Sequence, residues 1–259
     1  MKFKYLNIGC GINFDPSWVN IDLIKHKGIL YHDINKGLPF ADSTFDAVYL
    51  SHVLEHLSYK KALELIEEIN RVLVPGGITR VVVPDLEQIA REYIYNLDNV
   101  LKDNIEKNKQ KYDWICLELL DQMVRDKSGG LMLERIRRGY FDFDYLKQRT
   151  GDEFKDLNCL DIIKKNKVKD IVKFLFYPLY KIILIKKQTK LLSYEKHKWM
   201  YDRYSLVTLL REYGFKNINI MSYDKSSIED WPCYNLDKSN KGDYPRKPDS
   251  LYVEAVKYV

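Results

Sequence analysis

Short runs of apolar and β-branched residues alternate with charged, helix-period stretches over the first ninety positions. KYLNIG (4–9), WVNIDL (18–23), ILYHDI (29–34), FDAVYLS (45–51) and TRVVVP (79–84) are each bounded by Gly, Pro, Asp or Asn, the pattern of short strands buried in a parallel sheet. Between the fourth and fifth runs, Ala62, Leu63, Ile66, Ile69, Val72 and Leu73 recur at three- and four-residue spacing and predict a helix from Ser58 to Val74. Pro75-Gly76-Gly77 should stop it, because proline lacks the donor that continues a helix and glycine tolerates positive φ.

After Pro84 the pattern turns helical and polar to about residue 200, with breaks expected at Arg137-Arg138-Gly139 and Thr150-Gly151-Asp152. Tyr204 to Tyr213 then reads as a helix ended by Gly214. KNINIMSY and SLYVEAVKYV alternate as two strands, joined by a Pro/Asp/Ser/Lys-rich loop over 224–249. Strands alternating with helices define an α/β protein of the doubly wound type. The expectation is a single domain over 1–259 in which 88–200 is a helical insertion that binds the acceptor and lids the cleft.

Composition narrows the class. With 46% hydrophobic and 31% charged residues among 259, the chain is neither disordered nor low-complexity. Cys10, Cys116, Cys159 and Cys233 are widely spaced, so neither a disulfide framework nor a zinc site is expected, and a reducing cytoplasm fits. The N-terminus lacks the apolar stretch of a signal peptide. The longest apolar run, Phe174 to Ile185, holds Pro178 and Lys181 and falls short of the ~20 residues that cross a bilayer.

The net charge of +5 is uneven: residues 160–200 carry eleven Lys against three acidic side chains. This suggests a local anionic partner, or equally a solvated Lys-rich face. The apolar, Lys-bearing stretch VKDIVKFLFYPLYKIILIKKQTK has three further roles open to it: covering the acceptor, a homodimer contact, or peripheral contact with an anionic membrane. Inward packing is the favoured one, and binding at the cofactor site should survive charge reversal of Lys186 and Lys187.

In open α/β sheets ligands sit beyond the carboxyl ends of the strands. There the chain places Gly9-Cys10-Gly11 after the first strand, Asp22 at the end of the second, Asp33 at the end of the third and Ser51-His52 at the end of the fourth. An adenosine needs a tight glycine turn and then a carboxylate for its ribose hydroxyls, and both occur in order.

With LNIGCG, LPFADSTFDAVYLSHVLEHL, RVLVPGG and VPDLE in place, the sequence resembles the class I S-adenosylmethionine-dependent methyltransferases over residues 4–90 and about 197–258. HKWMYDRYSLVTLLREYGF and SLYVEAVK are similar to segments of small methyltransferases of surface-polysaccharide biosynthesis, those of capsule and lipopolysaccharide. The resemblance implies a Rossmann-like, mostly parallel sheet with an antiparallel last strand, and S-adenosylmethionine as cofactor. It places Gly9 and Gly11 beside the methionine moiety, Asp22 on the ribose diol, Asp33 and Ile34 beside the adenine, and Ser51 and His52 near the sulfonium. Asn7 stands where an acidic residue commonly precedes the glycines, and can still hydrogen-bond the ammonium. INFDPS leaves no room for the usual first helix, and Asp22 follows Gly11 by 11 residues. A dinucleotide needs that helix for its pyrophosphate and its acidic residue ~20 positions on; a phosphate-free cofactor does not.

Methyl transfer to a hydroxyl requires that the acceptor lose a proton. His52 is the first candidate base, with a role in shaping the pocket as its alternative. Glu55-His56 is expected to cap or bond the start of the following helix, since H-V-L-E-H lacks the Glu that directly follows the first His of the metalloprotease motif and implies no metal. Asp85 is read as orienting the acceptor or acting as base, with an N-cap as the equal alternative. His197 with Tyr201 and Asp202 either closes over the acceptor or, through Asp202, caps the last helix. The reading is an O-methyltransferase of a sugar, sugar nucleotide or phosphorylated precursor. The alternatives are an RNA methyltransferase, disfavoured because the positive charge is confined to one segment, and a non-catalytic S-adenosylmethionine-binding module.

Overall fold

A computed structural model describes residues 4–139, 142–151, 195–239 and 242–258. Most of the Lys-rich segment 160–200, including Lys186, Lys187 and the Phe174–Ile185 run, lies outside the described residues, as does Cys159. The chain divides into two compact units, one built from Met1–Glu87 and Lys198–Val259, the other from Gln88–His197.

The first unit is built on a seven-stranded sheet: β1 (Tyr5–Ile8), β2 (Val19–Asp22), β3 (Leu30–Tyr31), β4 (Phe45–Ser51), β5 (Leu73–Pro84), β6 (Phe215–Met221) and β7 (Ser250–Lys257). Their order is β3-β2-β1-β4-β5-β7-β6. The first five run parallel, and β7 lies antiparallel between β5 and β6. This is a Rossmann-like sheet with its reversed strand next to the edge.

One face is covered by α1 (Tyr59–Val72) and α6 (Arg203–Glu212). Ala62, Leu65, Ile66, Ile69 and Val72 of α1 and Leu206, Leu209 and Leu210 of α6 are buried against Leu6, Ile8, Val48, Leu50, Val81 and Val253. Alternate β4 residues, Ala47 and Tyr49, face the other way, as the two-residue period of a strand requires. On that second face the cover is a set of loops. Trp18, Ile228, Trp231 and Leu236 pack on Tyr5, Tyr49, Val82 and Tyr252, and the four-residue α7 (Trp231–Tyr234) lies within the loop expected over 224–249.

Three expectations are corrected. The third strand shrinks to Leu30–Tyr31, both exposed, so Asp33 does not end it. Instead Asp33 caps a 3-10 turn over Ile34–Lys36, accepting from the Asn35 amide. Ser58 is the N-cap of α1, through a bond from Lys61 N, so Glu55-His56 does not cap it. Pro75-Gly76-Gly77 lies inside β5, where the pairing with β4 skips from Phe45↔Leu73 to Ala47↔Ile78; the three residues are absorbed as a bulge.

The second unit contains most of α2 (Leu86–Lys102), then α3 (Glu106–Val124), α4 (Gly130–Arg138) and α5 (Phe143–Thr150). Trp114, Met132, Ile136, Tyr145 and Leu146 form its core, beside a buried Arg149–Glu118 ion pair at 2.7 Å. Gly139 and Gly151 terminate α4 and α5. Among the described residues no helix is long and apolar enough to cross a membrane.

Candidate active site

At the carboxyl end of β1 the chain turns through Gly9 and Gly11, both at positive φ (64° and 55°). The two glycines differ in cause. A Cβ on Gly9 would stand 2.3 Å from Val53 Cγ2, whereas one on Gly11 would meet no atom within 4 Å. Gly9 is thus required by packing, and Gly11 faces open space that a ligand can use. Asp22 fastens the turn: its Oδ2 accepts from Gly11 N at 2.8 Å and its Oδ1 from Ile24 N at 3.0 Å. Each carboxylate oxygen keeps a lone pair after one such bond, so both remain able to accept from a ribose diol. Cys10, buried and beside Asp22, has its thiol pushed up to about 12 and is not a nucleophile near neutral pH.

Asp33 lies between two effects. Partial burial works against its ionisation, but hydrogen bonds from the Asn35 side chain and backbone prevail and hold the carboxyl below its ordinary value. Ile34 opens the turn that Asp33 caps. Asn7 is turned inward: it is buried, and its Nδ2 donates to Asn20 Oδ1 at 3.2 Å. Asn20 in turn donates to the carbonyls of Asp15 and Trp18, so the two asparagines pin the loop that replaces the first helix. No sequence motif marks Asn20; its signal is its position opposite Asn7 in the β1–β2 register.

Beyond β4, Ser51 is half-buried and His52 adopts φ 55°, a left-handed conformation that few residues other than glycine take and that Asn, Asp and His take most often. The His52 ring extends over the end of β5 toward β7, away from β1, and its Nε2 lies 2.9 Å from Ser250 Oγ. Its Nδ1 is 3.1 Å from Glu55 Oε1. Glu55 is fully buried, and His56 Nε2 lies 3.9 Å from the same oxygen.

Asp85, next after β5, accepts from Glu87 N at 3.0 Å and donates its own N–H to Asp249 O; its carboxylate thereby supports the first turn of α2. Asp202 caps α6 through the backbone N–H groups of Tyr204 and Ser205, with Ser205 answering back as a capping box. Tyr201 is buried, and burial with the nearby Glu55 charge pushes its phenol well above the ordinary range. His197 belongs to the inserted unit, where it is buried and its N–H donates to Gln122 O.

A parallel sheet with this strand order, a glycine turn open to a ligand and a carboxylate with lone pairs to spare are features of S-adenosylmethionine-dependent methyltransferase domains. Residues 6–81 match the family described as Methyltransferase domain. An uncharacterized protein of Methanocaldococcus jannaschii is 34% identical over 109 residues, 36% of this chain and 46% of that protein. An uncharacterized protein of Saccharomyces cerevisiae is 30% identical over 131 residues, 49% of this chain and 14% of that one. The chain therefore spans less than half the length of either relative. Among solved structures, it is similar to a methyltransferase of Thermotoga maritima (12% identity, TM-score 0.42, 99% of this chain and 83% of that one). Another is a methyltransferase of Archaeoglobus fulgidus (14%, 0.40, 98% and 86%).

Proposed function

We propose that the chain methylates a hydroxyl of a sugar, sugar nucleotide or related phosphorylated precursor, in the cytoplasm and in the service of surface-polysaccharide assembly. The observation that carries the hydroxyl acceptor is the placement of His52, whose ring leans to the β7 side of the cleft, away from the glycine turn. An imidazole there can serve as base for an incoming hydroxyl. The similarity of HKWMYDRYSLVTLLREYGF and SLYVEAVK to segments of polysaccharide methyltransferases supports the sugar class. S-adenosylmethionine, when bound, supplies an electrophilic methyl carbon that gains a bond from the acceptor oxygen while its sulfur keeps the electron pair.

This chain's residues do the rest. Asp22 and the Gly11 turn hold the nucleoside end, Asp33 and Ile34 lie beside the adenine, and His52 takes up the proton that the acceptor hydroxyl loses. The test is calorimetric titration with S-adenosylhomocysteine, followed by methyl uptake across a panel of monosaccharides and nucleotide sugars. Binding by the intact protein and at least tenfold weaker binding by Asp22→Ala are expected. No binding by the intact protein, or binding without transfer to any hydroxyl acceptor, overturns the reading.

A further inference from the structure

Ser250, His52 and Glu55 stand in a row across the carboxyl end of β5, and we propose that they form a proton relay in which the Ser250 hydroxyl meets the acceptor and passes its proton to His52. The proposal rests on hydroxyl methylation and adds the group that touches the substrate. Strands β4 and β7 flank β5, so at about 4.8 Å per strand they are about 10 Å apart. The left-handed backbone at His52 carries the imidazole across that gap to Ser250, the first residue of β7. Such a backbone conformation in a non-glycine residue persists where the surroundings impose it.

The polarity of the row follows from its ends. Glu55 is fully buried and its backbone carbonyl is held by the N–H groups of Lys198 and Trp199 at 2.7 and 3.3 Å. Its carboxylate lies 3.1 Å from His52 Nδ1 and, when ionised, has no proton to give, so its charge favours the Nδ1–H tautomer. Nε2 is then the lone-pair nitrogen, and Ser250 Oγ at 2.9 Å must donate to it. Tyr252, two residues on, also lies in hydrogen-bond contact with Ser250. Its phenol proton is given to Lys247 O at 3.1 Å, and a phenol oxygen is a far weaker base than a neutral imidazole. The Ser250 proton therefore belongs to His52.

With Nε2 occupied by Ser250, an acceptor meets the serine oxygen first. In the transfer the acceptor O–H bond breaks and its proton goes to Ser250 Oγ. The serine O–H proton moves to His52 Nε2, and the resulting imidazolium faces the Glu55 carboxylate. His52 later returns the proton to solvent, and the serine ends unchanged.

The tautomer can be read without an acceptor. In the complex with S-adenosylhomocysteine, two-dimensional ¹H–¹⁵N ring correlation over the five histidines, with His52→Asn for assignment, should show His52 as Nδ1–H. Glu55→Gln, whose amide donates as well as accepts, should bring in the Nε2–H form. Ser250→Ala should shift the Nε2 resonance with the tautomer kept. An Nε2–H ring in the intact protein, or no change in either variant, overturns the relay whatever the activity. With any sugar found to be methylated, Ser250→Ala should lower kcat at least tenfold at unchanged S-adenosylhomocysteine affinity, and Ser250→Thr should recover it to within about threefold. Full kcat in Ser250→Ala would also overturn the relay, whereas an intact protein that methylates no sugar fails the functional reading alone.

Discussion

Replacing Gly9 and Gly11 by alanine separates packing from ligand binding at one turn. Gly9 has φ +64° and its new Cβ would lie 2.3 Å from Val53 Cγ2, more than an ångström inside the ~3.5–4 Å of an ordinary carbon contact. The left-handed backbone costs about 1–2 kcal/mol for an L side chain, and the forced displacement of Val53 about 1–3 kcal/mol more, so Gly9→Ala should lose about 2–5 kcal/mol. Gly11 has φ +55° and an open Cβ position, so Gly11→Ala should lose only the backbone cost of about 1–2 kcal/mol. Val53→Ala removes two methyls, worth about 1.6 kcal/mol at ~0.8 each. It also vacates the space that the Gly9 methyl needs. The double variant Gly9→Ala/Val53→Ala should therefore be more stable than the sum of its parts by about 1–3 kcal/mol. Urea unfolding followed by tryptophan fluorescence measures the stabilities, and calorimetry with S-adenosylhomocysteine measures the site. Additivity within about 0.5 kcal/mol would show that Val53 does not dictate the glycine. A Gly11→Ala protein that binds cofactor product as tightly as the parent would show that the open space is not the ligand's.

Arg80 is fully buried between Asp237 and Glu254, each at 2.8 Å, so Arg80→Met should cost about 3–5 kcal/mol by urea unfolding; a loss below about 1 kcal/mol would refute the buried pairing. Adding Asp237→Asn to Arg80→Met should recover part of that loss, because it removes a carboxylate left without its guanidinium. Asp202→Ala should cost about 0.5–2 kcal/mol near neutral pH through the α6 cap. The backbone bond from Ser205 is the leading cause that holds the Asp202 carboxyl below its ordinary value, so its stabilising effect is complete above the unfolded value of ~3.9 and fades as pH falls through the lower folded value. Unfolding of both proteins at pH 6 and pH 2.5 should show the difference shrink in acid, and a constant difference would assign the cap to packing.

The parts of the fold that were legible are those set by local pattern. Short apolar runs bounded by turn residues give β1, β2, β4 and the end of β5, alternation gives β6 and β7, and the Ala62 to Leu73 spacing gives α1 to within two residues at its end. Asp33 was misplaced because YHDI is apolar enough to look like strand, while the Asx bond to Asn35 offered the backbone a turn instead. Pro75-Gly76-Gly77 read as a stop, yet β5 runs through it, since the bulge tolerates a missing donor that a regular ladder would not. At the site, Gly11, Asp22 and His52 were visible because each follows a strand. Ser250 was not, since it lies 198 residues from His52 in sequence and its own segment reads only as an alternating strand. Arg80 was equally hidden: one charge inside TRVVVP carries no signal until a distant loop supplies its carboxylate.

That loop connects the missing helix to the chemistry. Without a helix after β1, the second face of the sheet needs another cover, and Trp18 supplies it together with Trp231 and Tyr234, ring centroids 6.3 and 5.2 Å away. Asn13 ties the short β1–β2 loop to the same cover by donating to Leu236 O. Asp237, the next residue, bonds both Tyr49 of β4 and Arg80 of β5, and Arg80 stacks over Trp231 at 4.5 Å. From Asp237 the chain leads into Asp249, whose carbonyl takes the Asp85 N–H, and then into Ser250. The buried guanidinium therefore fixes the start of the segment that ends at the proposed proton donor, while the Asp85 bond fixes its finish. A cover built from loops would ordinarily leave β7's first residue free to move; anchoring both ends on β5 holds Ser250 within hydrogen-bond reach of His52.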